Sequence, residues 1–580
     1  MMRKPWRFLP HDQTRIERLM AQLQLPAVAA QLLVNRGFYD PQAAEQFLDT
    51  RLSALRDPAE LPGVNAAVPV ILAAVESKQR IVVYGDYDAD GMTAAAILVR
   101  MLQLLGADVG YHVPNRLDEG YGLNDAALER LAEHGTKLVV TVDCGIASLR
   151  EARRAAELGL QLVITDHHQF GQELPEATAL VHPRLPGSAY PFGELCGAGV
   201  AFKLAWALCQ QVCGGARVSE RMRFGLMQAL GLAAIGTIAD MVALLDENRI
   251  LACNGLKALK SYAPPGLSAL LKVTGLADKK ELSTEDIGFS IAPRLNAAGR
   301  LGQAQLGIEL LVTDSISRAE ALADYVHQLN SSRESLERSV YLAAQKQAKE
   351  EFDPEQDPAL VLGGVGWHPG VIGVVAGRLA DKYSRPVVIL SLDEAGSRPA
   401  VGSARSAGMV DLHALLADCQ SWLVAHGGHA AAAGLKLQPE RLAGFREVFC
   451  QRVAQSIETQ ARTAELVIDA EAPFGQLNMA TLGAIDRLAP FGQGNPRPLL
   501  CATDVRLVEP ARRMGGGDRH LSAKLAQHGV ELRAVAFGQG DWVEELNQLQ
   551  SPFDVAYRPV INEFRGRRSV ELQLVDWRAD

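Results

Sequence analysis

Val82-Val83-Tyr84-Gly85-Asp86-Tyr87-Asp88-Ala89-Asp90-Gly91 sets three carboxylates at alternate positions straight after an apolar run. The pattern predicts a buried strand over 81–83 and a helix over 93–105. The acids then fall in the turn at the strand's carboxyl end, where open α/β sheets place their ligands. Clustered carboxylates repel one another unless something positive lies between them, and hard divalent cations take oxygen ligands. The stretch reads as a metal site, or, standing alone, as a solvated acidic turn that caps a helix.

Working outward, the chain alternates strands at 81–84, 109–113, 137–142 and 161–165 with helices at 93–105, 125–133 and 148–158. Val- and Ile-rich strands interleaved with helices predict an α/β fold, a doubly wound parallel sheet covered on both faces. Residues 315–352, with Arg318, Glu320, Arg333, Glu334, Glu337, Arg338, Lys346 and Lys349 around apolar positions, read as one long solvated helix. Phe352-Asp353-Pro354-Glu355-Gln356-Asp357-Pro358 breaks it, and a second, smaller α/β unit opens at Ala359-Leu360-Val361-Leu362. After 465 the chain turns β-rich, with expected strands at 465–469, 499–508, 530–537, 553–559 and 569–575, which suits an OB-type barrel. The expected organisation is a helical N-terminal extension over 1–75, a first α/β domain over 76–314, a connecting helix over 315–357, a second α/β domain over 358–455 and a β domain over 456–580.

A chain of 580 residues suggests three or four domains at roughly 150 residues each. The net charge of −9 argues against a protein that coats nucleic acid electrostatically, but leaves room for a local basic channel. Eight cysteines without CxxC pairs point to neither a zinc site nor a disulfide framework, and fit a reducing cytoplasm. Met1-Met2-Arg3-Lys4-Pro5-Trp6 has no apolar core behind it, so no secretory signal is expected. The run Leu226 to Leu245 nears membrane-spanning length, yet contains Gln228 and Asp240 and is rich in Ala and Gly. It reads as a buried core helix, and no membrane association is expected.

Further polar residues interrupt apolar runs where strands should end. Leu138 to Val142 delivers Asp143, Leu162 to Thr165 delivers Asp166-His167-His168, and Asp240 closes the apolar run above. Singly, Asp143 also reads as a helix cap, His167 as a core histidine and Asp240 as a cap of the next turn. Parallel strands bring their carboxyl ends to one edge, however, so Asp88, Asp90, Asp143, His167 and Asp240 should converge on one crevice. Carboxylate and imidazole without thiolate suits Mn²⁺ or Mg²⁺. So many acids exceed the needs of one ion. Two divalent cations sharing a carboxylate would clamp the attacking and leaving oxygens of a phosphoryl transfer.

These motifs, with Gly236-Thr237-Ile238-Ala239-Asp240, occur in the order that the DHH phosphoesterase superfamily shows, and Gly427-Gly428-His429-Ala430-Ala431-Ala432-Ala433-Gly434 resembles its companion DHHA1 domain. Pro114-Asn115-Arg116, Gly120-Tyr121-Gly122-Leu123, Pro293-Arg294-Leu295-Asn296-Ala297-Ala298-Gly299-Arg300 and Trp367-His368-Pro369-Gly370-Val371-Ile372-Gly373 extend the likeness, which is nearest to the RecJ family of bacterial 5′→3′ single-strand exonucleases. The resemblance implies that Asp88 and Asp143 hold one metal, that Asp90, Asp143, His167 and Asp240 hold the other, and that Asp143 bridges them. It implies that Asp166 stands behind the ligands, and that His168 and Arg294 contact the scissile phosphate. Pyrophosphatase relatives carry a His where this chain has Tyr84, which weakens a pyrophosphatase reading and leaves Asp86 open as a further ligand. Ser403 and Arg405 resemble the family's 5′-phosphate pocket, joined by Arg116. Tyr121 offers a ring for a base, and Asn296, Gly428 and His429 are further candidate contacts. In the β domain, Arg565, Arg567 and Arg568 beside Phe564, with Arg512, Arg513 and Arg519 in a Gly-rich loop, form a candidate track for a strand, or a solvated basic hairpin.

The implied activity is two-metal, 5′→3′ hydrolysis of single-stranded DNA to 5′-mononucleotides in recombination and repair, by a monomer working beside a helicase and a single-strand-binding protein. The rivals are a phosphodiesterase of short oligoribonucleotides or cyclic dinucleotides, which needs no added β domain, and a non-catalytic scaffold, which needs no complete ligand set.

Overall fold

The structure is a computed structural model that describes residues 5–114, 122–353, 357–394, 396–406, 408, 410–457, 465–564 and 566–579; Arg116, Tyr121 and Arg565 lie outside them. The chain divides into two compact units, one formed by Asp57–Asp240 with Gly255–Arg462, the other by Met1–Arg56, Met241–Asn254 and Thr463–Asp580.

The first unit is built on β1 (Arg80–Tyr84), β2 (Val109–His112), β3 (Thr136–Val142), β4 (Gln161–Thr165) and β5 (Ala179–Val181). All pairings are parallel, in the order β2-β1-β3-β4-β5. Alternate residues of a strand face opposite sides, and both sides here are apolar. Tyr84, Val139, Leu162 and Ile164 lie under helices Asp125–Glu133 and Leu149–Glu157. On the other side pack Val64–Glu76, α1 (Ala89–Leu104) and α2 (Gly197–Cys213). The strand order reverses between β1 and β3, and a doubly wound sheet opens a crevice at that switch point, outside the carboxyl ends of the strands.

The expected core helix is α3 (Glu220–Ala239), long and apolar enough to span a membrane by length and composition. Its second half, Ala229 to Thr237, is buried, and the helix packs against α1 and α2. It ends at Asp240 rather than Leu245, because Met241–Asn254 belongs to the other unit.

Further along, α4 (Ala292–Arg300) precedes the 36-residue α5 (Ile316–Glu351). The end of α5 packs through Val340, Ala344 and Ala348 on α6 (Pro369–Tyr383), in the second sheet's core. That sheet holds β6 (Leu360–Val365), β7 (Val387–Leu392), β8 (Ala400–Arg405), β9 (Ala425–Gly428) and β10 (Ala432–Leu437) in the order β9-β10-β8-β7-β6, parallel only between β6 and β7.

In the other unit, Leu500–Leu507 pairs with both His520–Gln527 and Phe553–Phe564, while Val530–Ala536 pairs in parallel with Arg567–Arg578. Numbered one to five in chain order, these strands close as 1-2-3-5-4-1, so the sheet becomes an OB barrel without free long edges. The strand His520–Gln527 went unread in the sequence, as did the short strand Arg512–Met514. In His520–Gln527, Lys524, Gln527 and small residues stand where an apolar run was sought.

The expected 1–75 extension is not one piece. Ile16, Leu19, Leu32 and Leu33 share a core with barrel residues Leu500, Leu525 and Leu572, whereas Val64–Glu76 packs on the parallel sheet. The expected 76–314 domain likewise gives up Met241–Asn254. Arg249 explains why. Its guanidinium is buried at 2% exposure, donates to the carbonyls of Phe47, Leu488 and Arg487 at 2.8, 2.7 and 2.9 Å, and lies 4.1 Å over the Phe47 ring. Burial lowers its pKa to about 10. Replacing it with a shape-filling apolar chain strands three carbonyls. We expect Arg249→Met to lower the stability of this unit by about 3 kcal/mol, read as an earlier urea midpoint; an unchanged midpoint would deny the arginine that role.

Candidate metal centre and nucleic-acid contacts

Each acid of the opening stretch is fixed by the turn that presents it. Asp88 caps α1, its Oδ1 accepting the N–H groups of Asp90 at 2.9 Å and Gly91 at 3.0 Å. Asn296 on α4 supplies its carboxamide oxygen to the Ala89 N–H at 2.8 Å, tying the turn to a second helix. Asp90 accepts from the Gly197 and Ala198 N–H groups at 2.7 and 2.9 Å, at the start of α2. A helix N-terminus thus faces a buried carboxylate, as the helix dipole favours. Asp143 leaves β3 at φ 61°, the left-handed region that Asp tolerates better than most residues.

Asp166 organises the histidines. Its Oδ1 accepts the N–H of His167 at 2.7 Å, the N–H of His168 at 3.1 Å and His168 Nδ1 at 2.8 Å, while Oδ2 accepts the Ile146 N–H at 2.9 Å. Burial raises its pKa, but the His168 contact and the N–H donors outweigh burial and hold it at about 2. His168 is lowered by burial and raised more strongly by Asp166, to about 9, whereas burial takes His167 down to about 4. The two histidines are braced from behind: His182 Nε2 contacts the His168 carbonyl at 2.8 Å, and Arg184 donates to the His167 carbonyl at 2.6 Å.

The side chains converge at the switch point. His167 Nε2 lies 3.0 Å from Asp143 Oδ1, 3.7 Å from Asp240 Oδ2 and 3.9 Å from Asp90 Oδ2. Octahedral ligands about 2.1 Å from one ion are about 3.0 Å apart when adjacent and about 4.2 Å apart when opposite, and these spacings fall within that range. Asp86, Asp88 and Asp143 bring one oxygen each within 4.8 Å of one another; so do the ligand atoms of Asp90, His167 and Asp240, and those of Asp143, His167 and His168. Asp143 is the member common to the first and last groups, and His167 the member common to the second and last. Burial and then the neighbouring acids push Asp143 well above the ordinary carboxylate pKa and Asp240 to about 8. Without cations the cluster is a set of unfavourable buried charges, and its oxygen and imidazole donors suit Mn²⁺ or Mg²⁺. The residues present fit two such ions. Asp86, left open by the sequence, stands in the group with Asp88.

Two glycines leave room for this packing. A Cβ on Gly197 would sit 2.6 Å from Asp143 Cβ, and one on Gly236 would sit 2.3 Å from Asp90 Oδ1. Tyr84 lies on the sheet's other face, its hydroxyl donating to the Gly122 carbonyl at 3.0 Å and meeting Asn124 Nδ2 at 3.1 Å.

Comparison with known proteins gives matches to three domains along the chain. The DHH family N-terminal domain matches residues 80–237, the DHHA1 domain 356–455 and the RecJ OB domain 468–576. The chain is 36% identical over 571 residues to the single-stranded-DNA-specific exonuclease RecJ of Bacillus subtilis (strain 168), covering 98% of this chain and 70% of that one. The chain belongs to the RecJ family. The corresponding protein of Escherichia coli (strain K12) is 33% identical, with 95% of each chain covered. The structure matches the crystal structure of RecJ from Thermus thermophilus in complex with Mn²⁺ with a TM-score of 0.82 at 32% identity, over 99% of this chain and 80% of that one. A Mg²⁺ complex of the same RecJ matches with a TM-score of 0.77.

The remaining RecJ-type candidates fall at three places. On β8, Ser403 and Arg405 share a face, with Arg405 Nη1 donating to Ser403 Oγ at 2.9 Å. They line a cavity of about 990 Å³ with Gly370, Gly373, Arg300, His426 and Lys436. A Cβ at Gly373 would come within 2.9 Å of Arg405 Nη2, so the glycine admits the arginine beside α6. Gly428 and His429 stand just past the lining residues His426 and Gly427, with His429 in the β9–β10 turn and Gly428 at φ 135°. Arg294 is held by the segment Ile287–Ile291 before α4 and by α5, its Nη1 donating to the Ser290 carbonyl at 2.6 Å and its Nε to His327 Nδ1 at 3.2 Å. In the barrel, Arg512, Arg513 and Arg519 occupy the connection between the first two strands, and Arg567 and Arg568 begin the fifth. These are the loops by which OB folds hold oligonucleotides. Arg513 is already paired with Glu544 at 2.8 Å, and Arg512 with Glu509 at 3.7 Å.

Sequence reading missed the Gly197 and Ala198 N–H groups and the His182–Arg184 brace. The signals were there in Cys196-Gly197-Ala198-Gly199 opening a helix, and in Val181-His182-Pro183-Arg184 closing one more strand. Displacing Asp143 through its contact with residue 197 should weaken metal binding without touching a ligand. We expect Gly197→Ala to lower Mn²⁺ affinity about 10- to 100-fold in a calorimetric titration, and an unchanged affinity would show that this clearance is dispensable.

Proposed function

We propose that the protein hydrolyses phosphodiester bonds of single-stranded DNA as a metal-dependent 5′→3′ exonuclease that releases 5′-mononucleotides. The observation that carries the reading is the ring of Asp86, Asp88, Asp90, Asp143, His167 and Asp240 at the switch point, on a chain matched along nearly its full length to single-stranded-DNA-specific exonucleases.

In this reading Asp86, Asp88 and Asp143 hold one divalent cation, and Asp90, His167, Asp240 and Asp143 hold the other. When bound, the pair supplies a water of lowered pKa and positive charge at the attacking and leaving oxygens. The chain's own part is positioning. The α2 N-terminus and the Asp88 cap fix the acids before substrate arrives, so little reorganisation accompanies reaction. The Asp166 bond to Nδ1 orients the His168 ring and leaves Nε2 to meet a phosphate oxygen. Arg294 contributes a fixed positive charge to the same strand.

Polarity comes from the DHHA1 cavity. Ser403 and Arg405, with Arg300, His426 and Lys436 around them, form a basic recess suited to a terminal 5′ phosphate. The family likeness assigns Arg116 and Tyr121 roles as phosphate and base contacts, and the arginines of the barrel loops guide the strand. The OB barrel favours a polymeric substrate over a dinucleotide, which needs no such platform. A helicase supplying single strands, a single-strand-binding protein presenting them, a monomeric state and a cytoplasmic setting complete the reading; the family likeness is what supports them.

With Mn²⁺ present, an oligonucleotide labelled at its 5′ end should release the label at once as mononucleotide, while a 3′-labelled copy shortens step by step and EDTA stops both. Release of the 3′ label first would reverse the polarity. Asp143→Ala should lower hydrolysis about a thousandfold or more with circular dichroism unchanged, and retained activity would place the chemistry elsewhere. Arg405→Ala should slow 5′-phosphorylated substrate by about 10- to 100-fold while affecting a 5′-hydroxyl strand much less; equal effects on both would remove the pocket's role.

A further inference from the structure

Phe289 is 80% exposed, the most exposed large apolar side chain among the described residues. It sits on the π-helical segment Ile287–Ile291, between buried Ile287 and Ile291, and runs straight into α4. A π turn carries more residues than an α turn and re-aims the side chains around it, which is why such turns gather at functional sites. Here the turn holds an aromatic ring in water on a segment whose neighbouring apolar residues are all inside.

Arg294 follows on the same rod as Phe289. Arg294 reaches back one turn, as helical side chains do, and its Nη1 bonds the carbonyl of Ser290, the residue after Phe289. Guanidinium and ring therefore lie along the same short stretch of rod. That rod is fastened to the metal loop by Asn296 at the Ala89 N–H and by Gly299 against the Tyr87 carbonyl, where a Cβ would sit 1.9 Å away. Phe289 and Asn296 are seven residues apart, about 10 Å of helix rise. An exposed aromatic ring and a cation suited to phosphate thus belong to one rod that is fastened to the loop carrying the acidic cluster.

We infer that Phe289 stacks on an unpaired base of the DNA strand near the metal centre and so contributes to single-strand specificity. Stacking on an aromatic ring is available to every base and needs no hydrogen-bond readout. It does require a base face not already covered by its duplex neighbours, so the ring favours a single strand over a double one. The assignment rests on the exonuclease reading above and adds to it a determinant that touches neither metal ligand nor terminal phosphate.

The test uses the full-length protein with Mn²⁺ and a 5′-phosphorylated deoxyoligonucleotide. Phe289→Ala should raise KM about 5- to 100-fold, with the larger part of the loss in KM rather than kcat. Phe289→Trp and Phe289→Tyr should retain the wild-type value, whereas Phe289→Leu should not. Oligonucleotides carrying one abasic site at successive positions supply the readout that a packing role would not move: wild type should show a rise in KM at one position, and Phe289→Ala none there. An unchanged KM for Phe289→Ala, full rescue by leucine, or identical abasic profiles for both proteins would overturn the assignment. If wild type itself leaves single-stranded DNA intact, the exonuclease reading fails and takes this inference with it; if wild type digests normally and only the Phe289 comparison is flat, that reading stands and this one falls.

Discussion

The constraint on which the first unit depends is electrostatic. Asp86, Asp90 and Asp143 are almost fully buried, with Asp240 and Asp88 beside them, in a crevice whose imidazole is itself kept from protonating by burial. Ionised carboxylates so close and so poorly solvated are held only at a cost of several kcal/mol each, unless cations sit among them. Everything nearby lowers that cost by geometry: the Asp88 cap, the α2 N-terminus on Asp90, the two clearances at Gly197 and Gly236, and the four donors on Asp166. The fold supplies the crevice, because strand order 2-1-3-4-5 opens it between β1 and β3. The sequence then places an acid at the carboxyl end of each of those two strands.

This arrangement explains why the centre could be read from residues alone. Strand ends are legible wherever a Val- and Ile-rich run stops at a polar residue, and β1, β3 and β4 all stop that way. A parallel sheet turns those separate stops into one edge, so Asp88, Asp90, Asp143 and His167 could be gathered without knowing a distance. Asp240 is harder, since it ends a helix and not a strand, and only its place after an apolar run marked it. Backbone donors left fainter traces. Nothing in the identity of Ala198 says that its N–H will face Asp90; that depends on where α2 begins in space.

The misread boundaries have a different cause. Periodicity reports which face of a segment is apolar, but not which core receives it. The helices of 13–35 and Val64–Glu76 look alike in pattern, yet they enter different cores. Arg249 reverses the usual expectation that arginine marks a surface, because three backbone carbonyls and the Phe47 ring satisfy it inside. The barrel strand His520–Gln527 escaped notice for a related reason: a closed barrel needs only one inward residue in two, and here these are Leu521, Ala523, Leu525 and the polar Gln527, separated by Ser522, Lys524 and Ala526.

Charge accounts for the division of labour that remains. A chain with net charge −9 meeting a polyanion cannot rely on its overall field, so attraction has to be local. The divalent cations reverse the sign of the acidic crevice itself, which is where the chain's negative charge is most concentrated. The cationic side chains stand apart from it, Arg405 and Lys436 around one cavity and Arg294 on α4. A metal pair recognises a phosphodiester but cannot tell a 5′ end from an internal bond, or a single strand from a duplex. Those distinctions must come from groups that read a terminal phosphate and an exposed base face. In the proposed function the Ser403–Arg405 recess answers the first of these needs. The second calls for an aromatic surface left in water, which the exposed ring of Phe289, costly as it is to leave unburied, offers.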